Sequence, residues 1–322
     1  KSRLPGLFLG IEGEIAYKNL RRNRKRFRIT VFSMVISIIL YIVFSSFVGF
    51  AFKVTAGDMA EMGDFVIGSS NSDNEKDNAV YSEVKNLPGV VKVFYSTAKS
   101  VMILTPEDKM NPKYIQMLSY DLLDSLDRTD KGDIKLYNCN LYAYEEENLD
   151  AFKPLLKQGK VDIEALNREN GVLIVQTGRI YNGKSNKTAI IDVADYKVGD
   201  EIKITTDDRS GNPKYKKIKV AGILEKGILG GEYNETRGIN IITTKKVYKN
   251  IAGKSGNIRF DVFTKEDADK EPIREYLKGL KEKNMHYSYT DRAERAKEER
   301  NTVITVSIFL YGFVAVITLI GC

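Results

Sequence analysis

Two long stretches without a charged residue divide the chain, Ile29–Phe52 and Thr302–Cys322. The first has 24 residues, and at about 1.5 Å per residue a helix of that length spans about 36 Å, enough to cross a hydrocarbon core of about 30 Å. A buried core helix is the alternative, but such helices seldom run this far without a charge. The pattern therefore predicts transmembrane helices at 29–52 and 302–322.

The residues between these stretches alternate between strand-like and helix-like patterns. Two strand–helix–strand units are predicted near the ends of this region, because short runs rich in β-branched and aromatic residues flank amphipathic helical patterns. The first unit comprises strand Asp64–Gly68, helix Ala79–Leu87 and strand Val90–Leu104, and the second comprises strand Asn257–Thr264, helix Asp269–Asn284 and strand His286–Tyr289.

The middle of the chain is predicted to be rich in strands. Its predicted strands are Ile134–Tyr144, Gly171–Thr177, Gly199–Thr205 and Lys216–Leu224, the last two forming a hairpin with a long loop. Helices are predicted at 113–126 and at 145–157, where Pro154 interrupts the second. Together these patterns predict an α/β (α+β) domain over 53–301, with two subdomains and residues of about 138–240 as a β-rich insert.

A charged helical stalk is predicted just before the second apolar stretch, at 291–301. Opposite charges lie four residues apart in the pairs Asp291/Arg295 and Arg295/Glu299, a spacing that places them together on one helix face. The stalk and the second transmembrane helix are predicted to form one continuous helix. The alternative, that the charges mark merely a solvated helix face, is compatible with this stalk.

The excess positive charge lies before the first apolar stretch. Residues 1–28 carry nine Lys or Arg and two Glu, whereas the rest of the chain carries 41 basic and 41 acidic residues. The basic collar next to the apolar stretch consists of Lys18, Arg21, Arg22, Arg24, Lys25, Arg26 and Arg28. Because Lys and Arg accumulate on the cytoplasmic side of a membrane helix, residues 1–28 are predicted to be cytoplasmic and 53–301 extracytoplasmic. Without a basic surplus on the domain, a nucleic-acid partner is not expected.

A short amphipathic helix is predicted within 7–20, because Leu7, Phe8, Ile11, Ile15 and Leu20 follow helical spacing. It is expected to lie on the inner membrane surface. The open alternative is a soluble helix packed on an upstream domain.

One stretch of the sequence matches a nucleotide-binding motif. Residues 178–185 match the phosphate-loop pattern G-x-x-x-x-G-K-S through Gly178, Gly183, Lys184 and Ser185, and they follow an apolar strand. A phosphate loop must open a helix whose N-terminus holds the phosphates, but only residues 186–196 separate the motif from the next strand pattern. The match is therefore interpreted as a turn, and no cofactor is predicted to bind in this chain.

The remaining candidate chemistry is sparse. His286 is the single histidine, and Cys139 and Cys322 are the two cysteines, so histidine triads, clustered metal ligands and a disulfide framework are not expected. The acidic loop near residue 74 lacks the glycine and closing glutamate of a calcium loop. No catalytic residue and no metal site is predicted.

One segment that contains the basic collar is GIEGEIAYKNLRRNRKRFRITVFSMVISI, and a second feature is the pair YKVGDEIKI and KIKVAGIL. Both resemble segments of bacterial ABC-transporter permeases of the FtsX/MacB type. The first resembles the start of a transmembrane half, and the second a signature of the extracytoplasmic domain. The collar recurs at the second repeat of two-repeat members from low-GC Gram-positive bacteria. The resemblance implies that this chain corresponds to that second half, with further membrane spans beyond Cys322.

The resemblance further implies a non-enzymatic, multi-pass protein of the bacterial cell membrane. Its expected partners are a separate ABC ATPase that binds the ATP, the other half of the permease, and the lipid bilayer. Export, extraction and antimicrobial-peptide resistance are the expected functions, with peptide or lipid as substrate. Two alternatives stay open: a membrane-anchored sensor or regulator of a cell-envelope process, and a membrane-bound enzyme or nucleotide-binding domain that uses Gly183, Lys184 and Ser185.

Overall fold

The computed structural model describes residues 10–12, 15, 18–19, 21–57, 63–70, 74–118, 127–182, 185–206, 213–228, 238–253, 256–283 and 286–321. The described helices are α1 Arg24–Gly57, α2 Asn74–Lys85, α3 Pro112–Met117, α4 Glu146–Leu149, α5 Ile163–Glu169, α6 Lys245–Ala252, α7 Glu271–Lys283 and α8 Arg292–Gly321. The described strands are β1 Phe65–Ser69, β2 Val90–Thr105, β3 Ile134–Tyr144, β4 Leu156–Gly159, β5 Gly171–Val175, β6 Thr177–Asn182, β7 Lys187–Asp192, β8 Glu201–Thr205, β9 Lys216–Leu224, β10 Asn240–Thr244, β11 Asn257–Thr264 and β12 Tyr287–Asp291. Short 3₁₀ helices cover Glu107–Lys109 and Asp150–Leu155.

The chain divides into two compact units, one made of Lys1–Gly57 with Glu294–Cys322 and the other of Asp58–Ala293. In the first unit, α1 and α8 are long and apolar enough to cross a membrane by length and composition. Where these helices meet, the rings of Tyr41 and Tyr311 lie 5.8 Å apart, and the Tyr311 hydroxyl donates to Ser45 Oγ at 3.3 Å. The predicted apolar stretches fall within these helices, apart from Cys322, which lies outside the described residues.

The second unit contains the two predicted strand–helix–strand units, and their strands interleave. The strand order is β12-β1-β11-β2, and each neighbouring pair is antiparallel. Strand β11 therefore lies between β1 and β2, and β1 lies between β11 and β12. This is the split βαβ arrangement of ferredoxin-like sheets. Helices α2 and α7 cover one face of it, and a hydrophobic cluster that includes Val84, Phe260, Ile273 and Leu277 fills the space between.

The β-rich insert continues the same sheet and closes it into a ring. Strand β2 pairs along one edge with β3, and along the other edge first with β11 and then, over Met102–Leu104, with β8. The ring runs from β2 through β3, β10, β5, β9 and β8, and returns to β2. The 16-residue strand β2 thus belongs to both the split βαβ sheet and a six-membered barrel.

Alternate residues of the barrel strands share one hydrophobic cluster, as the interior of a closed sheet requires. Their side chains include Val101, Ile103, Leu141, Ile174, Ile204, Val220 and Ile241, all buried. A further cluster on the outside of β5 and β10 packs against α5 and the 3₁₀ segment through Leu149, Phe152 and Leu166. The fused sheet explains why the insert and the flanking halves form one compact unit.

Several local predictions need correction. Helix α2 begins at Asn74, so part of the acidic loop expected near residue 74 is helical. The predicted helix 145–157 is instead α4, a 3₁₀ segment containing Pro154, and β4. The helix predicted at 113–126 ends at Met117, and 119–126 lie outside the described residues. The barrel also recruits β2 and begins β3 at Ile134, so it reaches beyond the expected insert of 138–240.

The limits expected for the domain and the stalk also shift. Helix α1 continues to Gly57, although the extracytoplasmic domain was expected to begin at residue 53, and Asp291 ends strand β12 and is not part of the stalk helix.

Candidate functional site at the junction of β1, β12 and helix α8

The residues singled out from the sequence lie in two separate places. The collar residues Lys18, Arg21 and Arg22 have helical backbone, Arg24 to Arg28 form the start of α1, and all collar side chains are exposed. Of the amphipathic pattern in 7–20, Ile11 and Ile15 are exposed, whereas Leu7, Phe8 and Leu20 lie outside the described residues. The membrane-surface role of both segments stays a prediction.

The phosphate-loop pattern lies on a β-hairpin. Gly178 belongs to β6 and pairs with Ile191 of β7, and Ser185 lies in the turn, where its backbone N–H donates to Asn182 Oδ1 at 3.0 Å. Gly183 and Lys184 lie outside the described residues. The element after the motif is strand β7, where a phosphate loop has its helix. His286 lies in an exposed turn before β12.

The two ends of the folded unit meet at one point. Phe65, the first residue of β1, pairs with Asp291, the last residue of β12. Helix α8 begins at the next residue, Arg292, with no loop between strand and helix. The backbone carbonyl of Asp64 accepts hydrogen bonds from the N–H groups of Arg292 at 2.8 Å and Ala293 at 3.2 Å. These are first-turn amides that a helix cannot satisfy by itself, so the chain entering β1 caps the helix leaving β12.

The Asp64 side chain ties this point to β11 and α7. Its carboxylate accepts from the backbone N–H of Thr264, from the Thr264 hydroxyl and from Lys270 Nζ, each at 2.8 Å. Burial alone raises the pKa of Asp64, but the hydrogen bonds from Lys270 and Thr264 outweigh burial, and the pKa lies below its usual value. The carboxylate is therefore held ionised at neutral pH.

A second ion pair lies on the same side of the unit. Arg274 of α7 donates from Nε to Asp291 Oδ2 at 2.5 Å, and the Asp291 side chain is 9% exposed. The guanidinium carbon lies 6.0 Å from the centre of the Phe65 ring, within the range of a cation–π contact. The hydrogen bond to Asp291 raises the pKa of Arg274. We call Asp64, Thr264, Lys270, Arg274 and Asp291 the junction cluster; all of it belongs to the unit Asp58–Ala293.

Close backbone packing completes the junction. A Cβ atom on Gly63 would lie 2.7 Å from the backbone nitrogen of Val262 and 2.8 Å from its oxygen. Only glycine lets the entering chain approach β11 this closely. Asp64 is therefore fixed on both its backbone and its side chain.

Sequence reasoning missed the junction cluster. It paired Asp291 with Arg295, but Asp291 is a strand residue whose partner is Arg274, whereas the predicted pair Arg295–Glu299 is present at 3.1 Å. The contacts of Asp64 join residues about 200 positions apart, and no spacing rule in the sequence connects them.

The described residues contain no group of three or more His, Cys, Asp or Glu side chains placed to hold a metal ion. The junction cluster holds salt bridges and hydrogen bonds between strands and helices. Its two ion pairs join Asp64 to Lys270 and Asp291 to Arg274, and the backbone carbonyl of Asp64 caps the first turn of α8.

No protein-family model matches the sequence, and no curated protein matches it. Solved structures do show similarity. The periplasmic region of MacB from Actinobacillus actinomycetemcomitans is similar over 76% of this chain and 96% of its own, at 13% identity and a TM-score of 0.41. The extracellular domain of the noncanonic ABC-type transporter YknZ from Gram-positive bacteria is similar over 70% of this chain and 99% of its own, at 14% identity and a TM-score of 0.38.

A domain of a candidate permease protein from Porphyromonas gingivalis is similar over 73% of this chain and 93% of its own, at 16% identity and a TM-score of 0.35. The resemblance to permeases of the FtsX/MacB type rests on the collar and the paired signature of the sequence.

Proposed function

We propose that this chain is a segment of an ABC-transporter permease, in which a partner's ATP hydrolysis moves the extracytoplasmic domain through helix α8. The proposal places the unit Asp58–Ala293 outside the bacterial cell membrane, between α1 and α8, with the basic collar at the inner surface. Support comes from the two apolar helices, from the charge asymmetry of residues 1–28 and from the sequence resemblance. The chain itself is proposed to be non-enzymatic.

The observation that carries the coupling is the direct passage from β12 into α8. One helix, Arg292–Gly321, contains both the charged segment and the apolar stretch, and its first turn is capped by Asp64. A helix transmits displacement along its axis, whereas a flexible linker lets its two ends move independently. Movement of the membrane end of α8 is therefore passed to the sheet.

The test is an insertion into the exposed segment of α8 after Arg300. Seven alanine-rich residues add two turns to within about 20°, and about 10 Å of length, so stiffness and helical phase are kept. Seven Gly/Ser residues at the same place add comparable chain but remove the stiffness. The two variants differ in the property on which the proposal depends.

The measurement uses the full-length protein in lipid nanodiscs with the ATPase that copurifies with it. A donor dye on a cysteine replacing the exposed Glu164, with an acceptor dye on the lipid headgroups, reports displacement of the domain by energy transfer. ATP is expected to change the transfer in the parent protein and in the alanine-rich variant, and the Gly/Ser variant is expected to lose most of this change while ATP hydrolysis continues. An undiminished response in the Gly/Ser variant would show that α8 does not carry the movement.

Copurification also separates this proposal from a regulatory role. An ATPase that stays bound to the full-length protein through membrane extraction supports the permease. A cell-envelope enzyme or sensor kinase in its place would support the regulator.

A further inference from the structure

Strands β6 and β7 form a two-stranded sheet that pairs with no other described strand. One face of this hairpin is anchored. Ile180 is buried in the hydrophobic cluster of the barrel, and the Asn182 side chain donates to the backbone carbonyl of Met117, at the end of α3, at 2.9 Å. Because a two-stranded hairpin is only marginally stable by itself, these contacts hold it against the folded unit.

The opposite face of the hairpin is exposed. The register pairs Arg179 with Ile190 and Tyr181 with Thr188, and residues directly opposite each other on neighbouring strands lie on the same face. Tyr181 is 52% exposed and Ile190 is 48% exposed, and the other two are exposed as well. Tyrosine and arginine are enriched among the residues that contribute most to protein–protein binding. We call these four residues the outer face of the hairpin.

The backbone of β6 presents unpaired groups along its free edge. The N–H of Val193 donates to the carbonyl of Gln176 at 2.8 Å, and the register between β6 and β7 is continuous. The alternation of an antiparallel ladder therefore places the N–H and C=O groups of Arg179 and Tyr181 on the side away from β7. No hydrogen bond from the described part of the chain reaches these groups. Such an edge can take up a further strand.

The charge of the hairpin narrows the choice of partner. Residues 177–192 contain three basic residues and one acidic residue, and the carboxylate of that residue, Asp192, already accepts from the Thr177 hydroxyl. Arg179 forms no ion pair with any described residue. A second copy of the hairpin would bring like charges together, and a lipid surface would make no use of the backbone groups along the edge. An acidic polypeptide segment suits both the charge and the edge.

The Tyr181 ring is held in place by the turn. Its hydroxyl donates to Asn186 Oδ1 at 2.8 Å, and Asn186 has a φ of 50°, a left-handed conformation that asparagine tolerates. A side chain that is already ordered loses little entropy when it binds. We propose that the free edge of β6 binds an extended acidic segment of a partner protein as a third strand. Arg179 pairs with an acidic side chain of that segment, and Tyr181 packs against its neighbours.

Peptide binding to the full chain in phosphatidylcholine nanodiscs tests the site, with fluorescence anisotropy as the measurement. The probe is a labelled eight-residue peptide of alternating Glu and Val, and its counterpart carries Lys in place of Glu. Arg179→Glu is expected to weaken binding of the acidic peptide about tenfold and to strengthen binding of the basic one. Lys187→Glu reverses the same charge at an exposed position on the other face of the hairpin, and is expected to change either affinity less than about twofold.

Modified peptides test the backbone pairing separately. Only alternate N–H groups of an added strand point toward β6, so N-methylation of one set, either the Glu or the Val nitrogens, should abolish binding, and methylation of the other set should leave it nearly unchanged. Equal effects of the two methylation patterns, equal losses in Arg179→Glu and Lys187→Glu, or no saturable binding of the acidic peptide at about 1 mM would overturn the proposal. Binding to phosphatidylglycerol vesicles that Arg179→Glu removes, without binding of the peptide, would assign the outer face to an anionic membrane and overturn it as well.

Discussion

The junction cluster predicts that Asp64→Ala weakens the folded unit markedly. The substitution removes three hydrogen bonds, from the Thr264 N–H, the Thr264 hydroxyl and Lys270 Nζ. All three bonds are made to an ionised carboxylate, and because the Asp64 side chain is 27% exposed, solvent reduces the contribution of each to about 1 kcal/mol. The expected loss of unfolding free energy is therefore about 3 kcal/mol.

Unfolding of the full chain in detergent micelles can be followed by near-ultraviolet circular dichroism, because the chain has 18 Tyr and no Trp. In a unit of this size each kcal/mol shifts the unfolding midpoint by about 2–4 °C, so Asp64→Ala should lower the midpoint by about 6–12 °C. Hydrogen exchange at the Thr264 amide should accelerate as well, because that N–H loses its acceptor.

The effect of Asp64 should also depend on pH. The folded pKa of Asp64 lies below its usual value, so its stabilisation is complete above the unfolded pKa and disappears as pH falls through the folded pKa. The difference in midpoint between the parent and Asp64→Asn should therefore be largest near neutral pH and shrink in acid. A difference in midpoint that grows in acid would contradict a lowered pKa of Asp64 in the folded state.

Asp267→Ala is the matched control, because Asp267 is an exposed aspartate in the same connection between β11 and α7. Its expected cost is below about 0.5 kcal/mol. If Asp64→Ala and Asp267→Ala unfold at the same midpoint, the junction cluster does not stabilise the unit.

Three further predictions follow from burial and backbone geometry. Burial raises the pKa of the Cys139 thiol to about 12, although the hydrogen bond from the Ile239 N–H partly opposes this. Maleimide at pH 7.5 should therefore modify Cys139 only after unfolding, which peptide mass mapping can show. Modification of the folded chain would contradict the burial of Cys139. Gly279→Ala in α7, where a Cβ meets nothing within 4 Å, should raise the free energy of unfolding by about 0.5–1 kcal/mol. Gly63→Ala should lower it, because the added Cβ clashes with Val262. Thermal unfolding midpoints equal to that of the parent would contradict both expectations. Phe260→Ala removes a fully buried ring and should cost about 3–5 kcal/mol, measurable by urea unfolding; a cost below 1 kcal/mol contradicts the packing.

Elements with strong periodicity could be predicted from the sequence. Strands β3 and β11 have the expected bounds, β12 begins within one residue of the expected start, and helix α7 lies within its expected range. These elements carry their own signals, because alternation every second residue or every third to fourth residue reports which face is buried. Helix α8 was likewise expected as one continuous helix.

Pairing between distant strands could not be predicted. Nothing local indicates that β1 lies between β11 and β12, or that β2 exchanges β11 for β8 along one edge. A strand's pattern says which face is buried but not which strand lies beside it, because every backbone offers the same donors and acceptors. The barrel therefore emerged only from the complete set of pairings.

The sequence by itself determined the two apolar helices, the basic collar and the alternation of helix and strand, because each depends on residues close together in the chain. Tertiary structure alone decided the closed barrel and the Asp64 contacts. The pairing of β2 with β8 joins residues about 100 positions apart and the Asp64 contacts join residues about 200 positions apart, all brought together by burial of the shared core.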